Sequence, residues 1–340
     1  MSYEFLQILW FILIAVLWIG FFFLEGFDFG VGMLLPFLGK KDEERRAIIN
    51  SIGSVWDGNE VWLLTAGGAT FAAFPEWYAT MFSGFYLAFF LLLVGLILRG
   101  ISFEYRSKDA DPAWRNRFDW MIAIGSFLSA LLLGAAFANL ARGIPINADR
   151  MFTGNLFTLL NPYGLLGGVT TVSIFLLHGA NFLGLKLEGK LRERVNNFAR
   201  KLWIAASVLY IALGIFTYAA GFWARGMVNP GIIPIAAVVV LLAAGYFINR
   251  RMEGWSFILV ALNIVLTQVT FFTMTFPNVM LSTTNPDWSL TIYNASSSQY
   301  TLTVMSVVAL IFVPIVLAYQ GWSYYIFRKR ISTAKKSLIY

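Results

Sequence analysis

The chain has 340 residues, of which 59% are hydrophobic and only 13% are charged. The charged share is about half of what a soluble domain carries, so a soluble globular protein is excluded and lipid must be the solvent for much of the surface. The chain has no cysteine and one histidine. This composition excludes iron–sulfur clusters, thiolate zinc sites and disulfides, and it excludes a multi-histidine copper or di-iron centre built by this chain alone.

Nine apolar stretches have the length of a transmembrane helix, which needs about 20 apolar residues. They lie near 5–24 with an extension towards 38, and near 52–73, 77–103, 118–138, 163–185, 202–224, 231–249, 255–277 and 301–327. The sequence therefore predicts an all-α integral membrane protein with about nine transmembrane helices. An odd number of spans places the two termini on opposite sides of the membrane.

The basic residues fall mainly on one side of the predicted membrane, which we call the basic side. Twenty-one of the 25 lysines and arginines lie in the connections between spans on this side and in the C-terminal tail, including Lys335 and Lys336. Three lie on the other side. Because cytoplasmic loops are enriched in Lys and Arg, this asymmetry predicts an outside N-terminus and a cytoplasmic C-terminus. It also explains the net charge of +7 without a nucleic-acid partner.

A short internal echo suggests how the spans are grouped. The first span ends in GFDFG at 26–30 and the fifth in GANFLG at 179–184, and a basic loop follows each. A repeat of four spans keeps both copies in one orientation, so the echo, unless it is coincidental, favours two parallel four-helix bundles over an inverted repeat. The predicted units are a first bundle at 1–138, an outer connection at 139–162, a second bundle at 163–277, an outer loop at 278–300, and a peripheral ninth helix with its basic tail at 301–340.

Five carboxyl groups are predicted to lie within the spans, towards the basic side. Ionisable groups are costly there, so they mark function more often than they do in water. Glu25 and Asp28 form one i,i+3 pair and Asp57 and Glu60 another, so the members of each pair share a helix face. Asp119 begins the fourth span from the same side. Carboxyls reachable from the cytoplasm are suited to proton uptake.

Structural roles for the same residues are the alternative. An acid near the start of a helix caps it and favours the positive end of its dipole, which fits Asp57 and Asp119. Acids near the inner surface also pair with loop arginines. The glycines around Asp28 permit either close helix packing or a break before Pro36.

Two basic side chains within spans have less definite assignments. His178 is a weak candidate for a haem ligand because no second axial ligand accompanies it, and a polar contact within the fold or to another subunit is the better interpretation. Arg99, near the inner end of the third span, is expected either to snorkel to the interface or to pair with one of the acids.

The segments EGFDFGVG at 25–32 and WDGNEVWL at 56–63 resemble the signature stretches of subunit II of cytochrome bd quinol oxidase. The resemblance extends over essentially the whole chain, in length, number of spans, outside N-terminus and lack of haem ligands. It implies a bacterial inner-membrane complex with a haem-bearing subunit I, which oxidises quinol on the outer side and reduces dioxygen to water.

The resemblance also implies a division of labour. The haem b and haem d groups belong to subunit I, and this chain carries no cofactor except for the quinone or lipid that some members hold in a groove. A small single-span accessory subunit belongs to the same expectation. Subunit II provides a scaffold and part of a proton route, and the aspartate linked to that route corresponds to Asp57.

The two lines of reasoning lead to one hypothesis: Asp57, helped by Glu60, Asp28, Glu25 and Asp119, passes cytoplasmic protons towards the haem site of the partner. Two rival hypotheses remain. A proton-coupled transporter would use the same acids for a solute and act without a partner, and a purely structural subunit would need none of them for turnover.

Overall fold

The computed structural model describes residues 1–333, so Lys335 and Lys336 lie outside the described residues. The described chain is mostly helical. Its α-helices, in chain order, are α1 (Tyr3–Leu38), α2 (Asp42–Ile52), α3 (Trp56–Ala73), α4 (Pro75–Gly84), α5 (Tyr86–Tyr105), α6 (Pro112–Arg142), α7 (Leu156–Leu159), α8 (Pro162–Lys186), α9 (Gly189–Ala219), α10 (Ile233–Asn249), α11 (Glu253–Thr275) and α12 (Gln299–Ile326).

Seven helices of the described chain are long and apolar enough to cross a membrane, judged by length and composition. They are α1, α5 with the short 3-10 turn that follows it, α6, α8, α9, α11 and α12. Two further predicted spans coincide with α3, which has 18 residues and carries two carboxyls, and with α10, an apolar helix of 17 residues. The multi-span helical membrane fold is thus confirmed, whereas the number of nine spans stays a prediction.

The span predicted at 77–103 consists of two helices, α4 and α5. Phe85 separates them, with ψ at 17°, outside the α-helical region. Gly84 packs at this break against Phe152, whose side chain would lie 3.0 Å from a Cβ at the glycine position. Hydropathy does not register the break because the residues on both sides of it are apolar.

Helices α1 and α8 cross at two glycines. A Cβ on Gly30 would overlap the carbonyl group of Phe175, and a Cβ on Gly179 would overlap the backbone of Gly30. Residues without a side chain are what permit two helices to approach so closely. The glycines near Asp28 therefore serve helix packing, and α1 continues as one helix past Pro36.

The other helices are arranged around this crossing. Helix α1 packs against α3 and α6, and α5 packs against α6, while α8 packs against α9 and α10 against α11. Helix α6 also packs against α8, so it connects the helices around α1 with the helices α8 to α11. Helix α12 lies at the periphery against α1 and α3, where Trp10 donates hydrogen bonds to the Leu302 carbonyl and the Ser306 hydroxyl. The division into two repeated bundles and the unit boundaries stay predictions.

The segment at 278–300 forms an ordered cap over the side opposite to the basic side. Two short antiparallel strands, β1 (Asn278–Met280) and β2 (Leu290–Thr291), pair within it. The Ser297 amide donates to the carbonyl of Ala73 at the end of α3 over 2.8 Å. The cap also binds the segment that follows α6, because the amide of Ile144 donates to the carbonyl of Leu281 over 2.9 Å.

Candidate functional site

The first predicted carboxyl pair is buried on α1 and is reached by an arginine side chain of α5. Glu25 and Asp28 are both 0% exposed, and so is Arg99 of α5. The Arg99 guanidinium forms an ion pair with the Glu25 carboxylate. Its central carbon also lies 4.8 Å from the ring centroid of Phe29 and 5.6 Å from that of Phe103. Aromatic faces of this kind stabilise a cation that has lost its water.

Helix α3 adds two polar side chains to this pair. The amide nitrogen of Asn59 donates to Asp28 Oδ2 over 2.7 Å, and Glu60 Oε2 lies 3.9 Å from Arg99 Nη1. The Glu60 side chain remains 22% exposed. We refer to Glu25, Asp28, Asn59, Glu60 and Arg99 as the Arg99 cluster. It brings together three of the five carboxyls that the sequence singled out.

The Arg99 cluster is unbalanced in charge and in hydrogen bonds. Glu25 Oε2, Asp28 Oδ1 and two guanidinium nitrogens of Arg99 are buried without a hydrogen-bond partner among the described residues. If all three carboxyls were ionised, the cluster would carry two uncompensated negative charges, and a buried charge without a partner is costly. A site of this composition can hold protons and exchange them.

Asp57 lies one helical turn before Glu60 and is exposed on the surface of α3. The two carboxyls of this pair therefore differ: Glu60 reaches the buried cluster, and Asp57 faces outwards from this chain. Further exposed positions continue the same side of α3, namely Val61, Leu64 and Phe71.

Helix α12 fixes the orientation of Asn59 from the other side. The Tyr324 hydroxyl donates to Asn59 Oδ1 over 2.8 Å, and the Gln320 amide donates to the same oxygen over 3.3 Å. Trp62 in turn donates to Gln320 Oε1 over 3.0 Å. Because the oxygen of Asn59 accepts these hydrogen bonds, its NH₂ group points to Asp28.

Asn59, Gln320 and Tyr324 were not selected from the sequence, although each left a signal. Asn59 lies between the two acids of the WDGNEVWL segment. Gln320 and Tyr324 are four residues apart and therefore share one face of α12. Two hydrogen-bonding side chains so spaced in an apolar helix indicate a polar contact. The expected pairing of Arg99 with an acid is confirmed by its contact with Glu25.

Asp119 lies in a different group of charges. Its Oδ2 accepts from Arg45 over 2.8 Å and its Oδ1 accepts from Arg106 Nε over 2.5 Å. Arg106 Nη2 also lies 2.9 Å from Asp42 Oδ1, and Arg115 Nη1 lies 2.8 Å from Asp42 Oδ2. We refer to these five residues as the Asp119 cluster. It ties the segment after α1 to the start of α6 and matches the alternative in which inner acids pair with loop arginines.

Glu44 in α2 provides a second tie on the basic side. Its carboxylate accepts from both terminal nitrogens of Arg194, at 2.9 and 3.2 Å, and from the backbone amides of Lys40 and Lys41. Burial alone would raise the pKa of Glu44, but the hydrogen bonds from Arg194 and from the two amides outweigh it and lower the pKa below its usual value.

His178 is fully enclosed and has the surroundings of a packed polar side chain. Its Nε2 lies 3.1 Å from the carbonyl oxygen of Phe23, and its ring stacks on Phe257 with centroids 4.6 Å apart. The Nε2 contact is a polar contact within the fold, as the sequence favoured, and Nδ1 is buried without a hydrogen-bond partner among the described residues. Within residues 1–333, no group of three or more His, Cys, Asp or Glu side chains is placed to hold a metal ion.

Two concave sites accompany the clusters. A cavity of about 400 Å³, which we call the basic-side cavity, is bounded by α1, α8, α11 and the end of α12 and is lined in part by Lys186, Tyr324 and Arg328. A larger groove of about 570 Å³ lies between α6, α8, α9, α10 and α11. No charged side chain is among the described residues that line this groove, where Tyr163 and Tyr210 supply polar groups.

Comparison with known proteins gives a consistent result over nearly the full length. A family model described as cytochrome bd terminal oxidase subunit II matches residues 6–327. Cytochrome bd ubiquinol oxidase subunit 2 of Bacillus subtilis (strain 168) is 44% identical over 331 residues, covering 95% of this chain and 96% of the relative. Cytochrome bd-I ubiquinol oxidase subunit 2 of Escherichia coli (strain K12) is 41% identical over 358 residues, covering 95% and 94%.

A solved structure has the same fold. A chain of the bd oxidase from Geobacillus thermodenitrificans superposes with a TM-score of 0.76 and covers 95% of this chain and 98% of its own length, at 15% sequence identity. At that identity the likeness concerns the fold alone, whereas the family model and the two relatives are specific in sequence. The chain therefore belongs to the cytochrome bd terminal oxidase subunit II family.

Proposed function

We propose that this chain is the non-haem subunit of a bacterial membrane quinol:dioxygen oxidoreductase, in which it scaffolds a haem-bearing subunit I and carries part of a cytoplasmic proton route. Membership of the family and the names of the relatives, both ubiquinol oxidase subunits, support the first part. The Arg99 cluster supports the second, because it gathers three carboxyls around one buried guanidinium.

The exposed side of α3 is the proposed contact with subunit I. Val61, Leu64 and Phe71 are 48%, 66% and 59% exposed, and a Cβ on Gly58 or Gly68 would meet nothing within 4 Å. Small residues beside large apolar ones allow a second membrane helix to approach closely. A partner on this face would cover Asp57 and lie next to Glu60.

The proposed route comprises the buried carboxyls of Glu25 and Asp28, then Glu60, and Asp57 on the face towards subunit I. Each of these groups can accept and release a proton, and Asp57 and Glu60 are one helical turn apart. Asn59 orients Asp28 and does not itself relay, because an amide has no acidic proton to pass on. In this proposal Asp119 anchors the basic side, since Arg45 and Arg106 already occupy its oxygens.

The orientation of the route follows from the charge asymmetry of the connections. The basic side faces the cytoplasm, and the N-terminus lies outside. Oxygen reduction in the partner consumes protons, so uptake from the cytoplasm combined with release of quinol protons outside separates charge across the membrane. The haem b and haem d groups, with quinol and dioxygen as substrates, are assigned to subunit I, and a small single-span accessory subunit completes the proposed complex.

The uncharged groove of about 570 Å³ is the proposed place in this chain for a neutral quinone or the acyl part of a lipid. Its volume lies within the range of about 300–1,000 Å³ that is usual for ligand sites. The hydroxyl groups of Tyr163 and Tyr210 supply hydrogen bonds to a neutral head group.

The experiment that tests the route is Asp57→Asn in the whole complex. We expect oxygen consumption per haem to fall by about tenfold or more, because a proton-transfer group typically contributes that much, while the visible haem spectrum stays unchanged. Glu193→Gln, which removes an exposed carboxyl of α9 on the same side, is the matched control. Normal oxygen consumption in Asp57→Asn contradicts the route, and loss of haem assigns the residue a structural role.

The same preparation distinguishes the rival functions. A proton-coupled transporter would move a solute as the isolated chain, without an obligate haem-coloured partner. A purely structural subunit would keep full turnover when Asp57, Glu60, Asp28 and Glu25 are all neutralised.

A further inference from the structure

The basic-side cavity combines an apolar interior with cationic residues. Four phenylalanines line it, namely Phe23, Phe27, Phe182 and Phe257, together with Lys186 and Arg328. Its volume of about 400 Å³ lies in the range of about 300–1,000 Å³ found for ligand sites.

Lys186 is buried at this site without an anionic partner. It is 9% exposed, and its ammonium group donates to the backbone carbonyl of Phe327. Within residues 1–333 no carboxylate forms a salt bridge with Lys186 or Arg328, and none of the described lining residues is acidic. A buried ammonium is costly unless an anion compensates it.

The two cations are held beside the cavity by ties between α8 and the chain after α12. Arg330 donates to the carbonyls of Gly184 and Leu187 at 3.0 and 2.7 Å, and the Ile331 amide donates to the carbonyl of Lys186 at 2.7 Å. These hydrogen bonds fix the end of α8 against the residues that follow Arg328. Arg328 itself donates to the Tyr325 carbonyl over 2.5 Å, and its guanidinium carbon lies 3.7 Å from the Tyr325 ring centroid. Both cationic residues are therefore positioned before a ligand arrives.

We propose that the basic-side cavity binds one anionic phospholipid, with its phosphate against Lys186 and Arg328 and an acyl chain among the phenylalanines. A neutral quinone leaves the charge of Lys186 uncompensated, whereas a phosphodiester supplies the missing anion. Basic pockets between membrane helices on the cytoplasmic side bind such head groups. The uncharged groove on α9 and α10 offers no comparable anion site. The assignment goes beyond the proposed function and does not depend on the proton route.

The test uses the whole purified complex. Detergent washing removes loosely held lipid, retained phospholipid is counted by mass spectrometry, and phosphatidylglycerol is then titrated back. The variant is Lys186→Gln/Arg328→Gln. The control is Lys190→Gln/Lys201→Gln, which removes two exposed cations from the same side and changes the net charge equally. We expect about fivefold weaker binding for each cavity cation removed, hence about 25-fold for the pair, and no change in the control.

A second variant tests the apolar part of the site. Leu185→Trp fills the cavity and leaves both cations in place, so we expect it to lose the retained lipid as well. Retention of lipid there would show that phosphatidylglycerol binds at the surface and not in the cavity, which overturns the assignment.

Other outcomes also overturn it. The assignment is wrong if the double variant binds phosphatidylglycerol as tightly as the wild type. It is also wrong if zwitterionic phosphatidylethanolamine binds equally well, or if the retained molecule is a quinone. If Lys186→Gln prevents assembly of the complex, the single variant Arg328→Gln is used in place of the double variant, because Arg328 is exposed and its loss leaves the core intact. The expected loss is then about fivefold, and an unchanged affinity contradicts the proposal.

Discussion

The Arg99 cluster and the Asp119 cluster are built from the same kinds of side chain and differ in how their atoms are paired. In the Asp119 cluster two carboxylates meet three guanidinium groups, and both oxygens of Asp119 accept hydrogen bonds. In the Arg99 cluster three carboxyls share one guanidinium, and both Glu25 and Asp28 keep a buried oxygen without a partner.

The difference supports the roles that we propose, a structural tie for the Asp119 cluster and proton exchange for the Arg99 cluster. A carboxylate whose two oxygens already accept hydrogen bonds from cations is not stabilised by protonation, because protonation would weaken or break those hydrogen bonds. A buried carboxyl that has no cationic partner has a lower free energy when it is protonated than when it is ionised. The count of unpaired carboxyl oxygens therefore distinguishes the two clusters better than the presence of an acid within a span, and the unpaired buried atom of the Asp119 cluster is a guanidinium nitrogen, Arg106 Nη1.

The largest effect is expected for Arg99→Met, which leaves the Arg99 cluster without a cation. Removing one partner of a buried ion pair destabilises by about 3–5 kcal/mol, so we expect a strong loss of assembled complex. The matched change Arg115→Met acts on a guanidinium that is 29% exposed in the Asp119 cluster, and should cost about 1 kcal/mol or less. Thermal unfolding of the purified complexes measures both.

A compensating variant gives the Arg99 prediction a sharper form. Glu25→Leu combined with Arg99→Met removes both charges of the pair, and it should recover part of the lost stability because an apolar pair can replace a buried ion pair. Equal unfolding midpoints for wild type and Arg99→Met would mean that the carboxyls do not depend on this cation, which contradicts the ion pair.

Asp28→Asn and Asp119→Asn are expected to act on different properties. Asp28→Asn removes a carboxyl of the proposed proton route, so oxygen consumption per haem should fall by about tenfold or more while the complex still assembles. Asp119→Asn loses the charge of the acceptor but keeps an oxygen that accepts hydrogen bonds, so stability should fall by about 1.5–3 kcal/mol while the assembled fraction keeps its turnover. Turnover normalised to haem, measured beside the unfolding midpoint, separates the two.

The reverse result would exchange the roles of the two clusters. If Asp119→Asn slowed turnover in the assembled complex and Asp28→Asn only lowered stability, the proton route would have to pass through α6. Glu193→Gln, on the exposed surface of α9, serves as the common control.

Much of this architecture could be predicted from the sequence, because lipid imposes long apolar runs and basic connections that are visible in one dimension. The positions of Glu25, Asp28 and Arg99 within spans were equally visible. Which acid meets which base was not, since Glu25 of α1 and Arg99 of α5 are brought together because both helices pack against α6. Asp57 is exposed whereas Glu60 faces the Arg99 cluster. This difference depends on how α3 is rotated about its axis, which an i,i+3 spacing does not determine.

Contacts between distant segments were the least predictable part. Tyr324 reaches Asn59 only because α12 returns to lie against α3. The break at Phe85 was also invisible, because it changes the backbone and leaves the hydropathy unaltered.

A smaller effect than for Asp119 is expected for Glu44, which is also a paired carboxylate on the basic side. Glu44→Gln should lower the free energy of unfolding by about 1–2 kcal/mol near neutral pH, because Arg194 and two backbone amides lose a charged acceptor. The pKa of Glu44 is lowered in the folded chain. Its contribution is therefore fully present above the unfolded value of about 4.3 and is lost as the pH falls through the lower folded value.

The stability difference between wild type and Glu44→Gln should accordingly shrink on acidification below about pH 4, whereas the exposed control Glu193→Gln should show little difference at any pH. Unfolding midpoints of the purified complex across this range provide the measurement. A difference that persists unchanged in acid would mean that Glu44 acts through packing and not through its charge. The rule that paired carboxylates on the basic side are structural anions would then fail for Glu44.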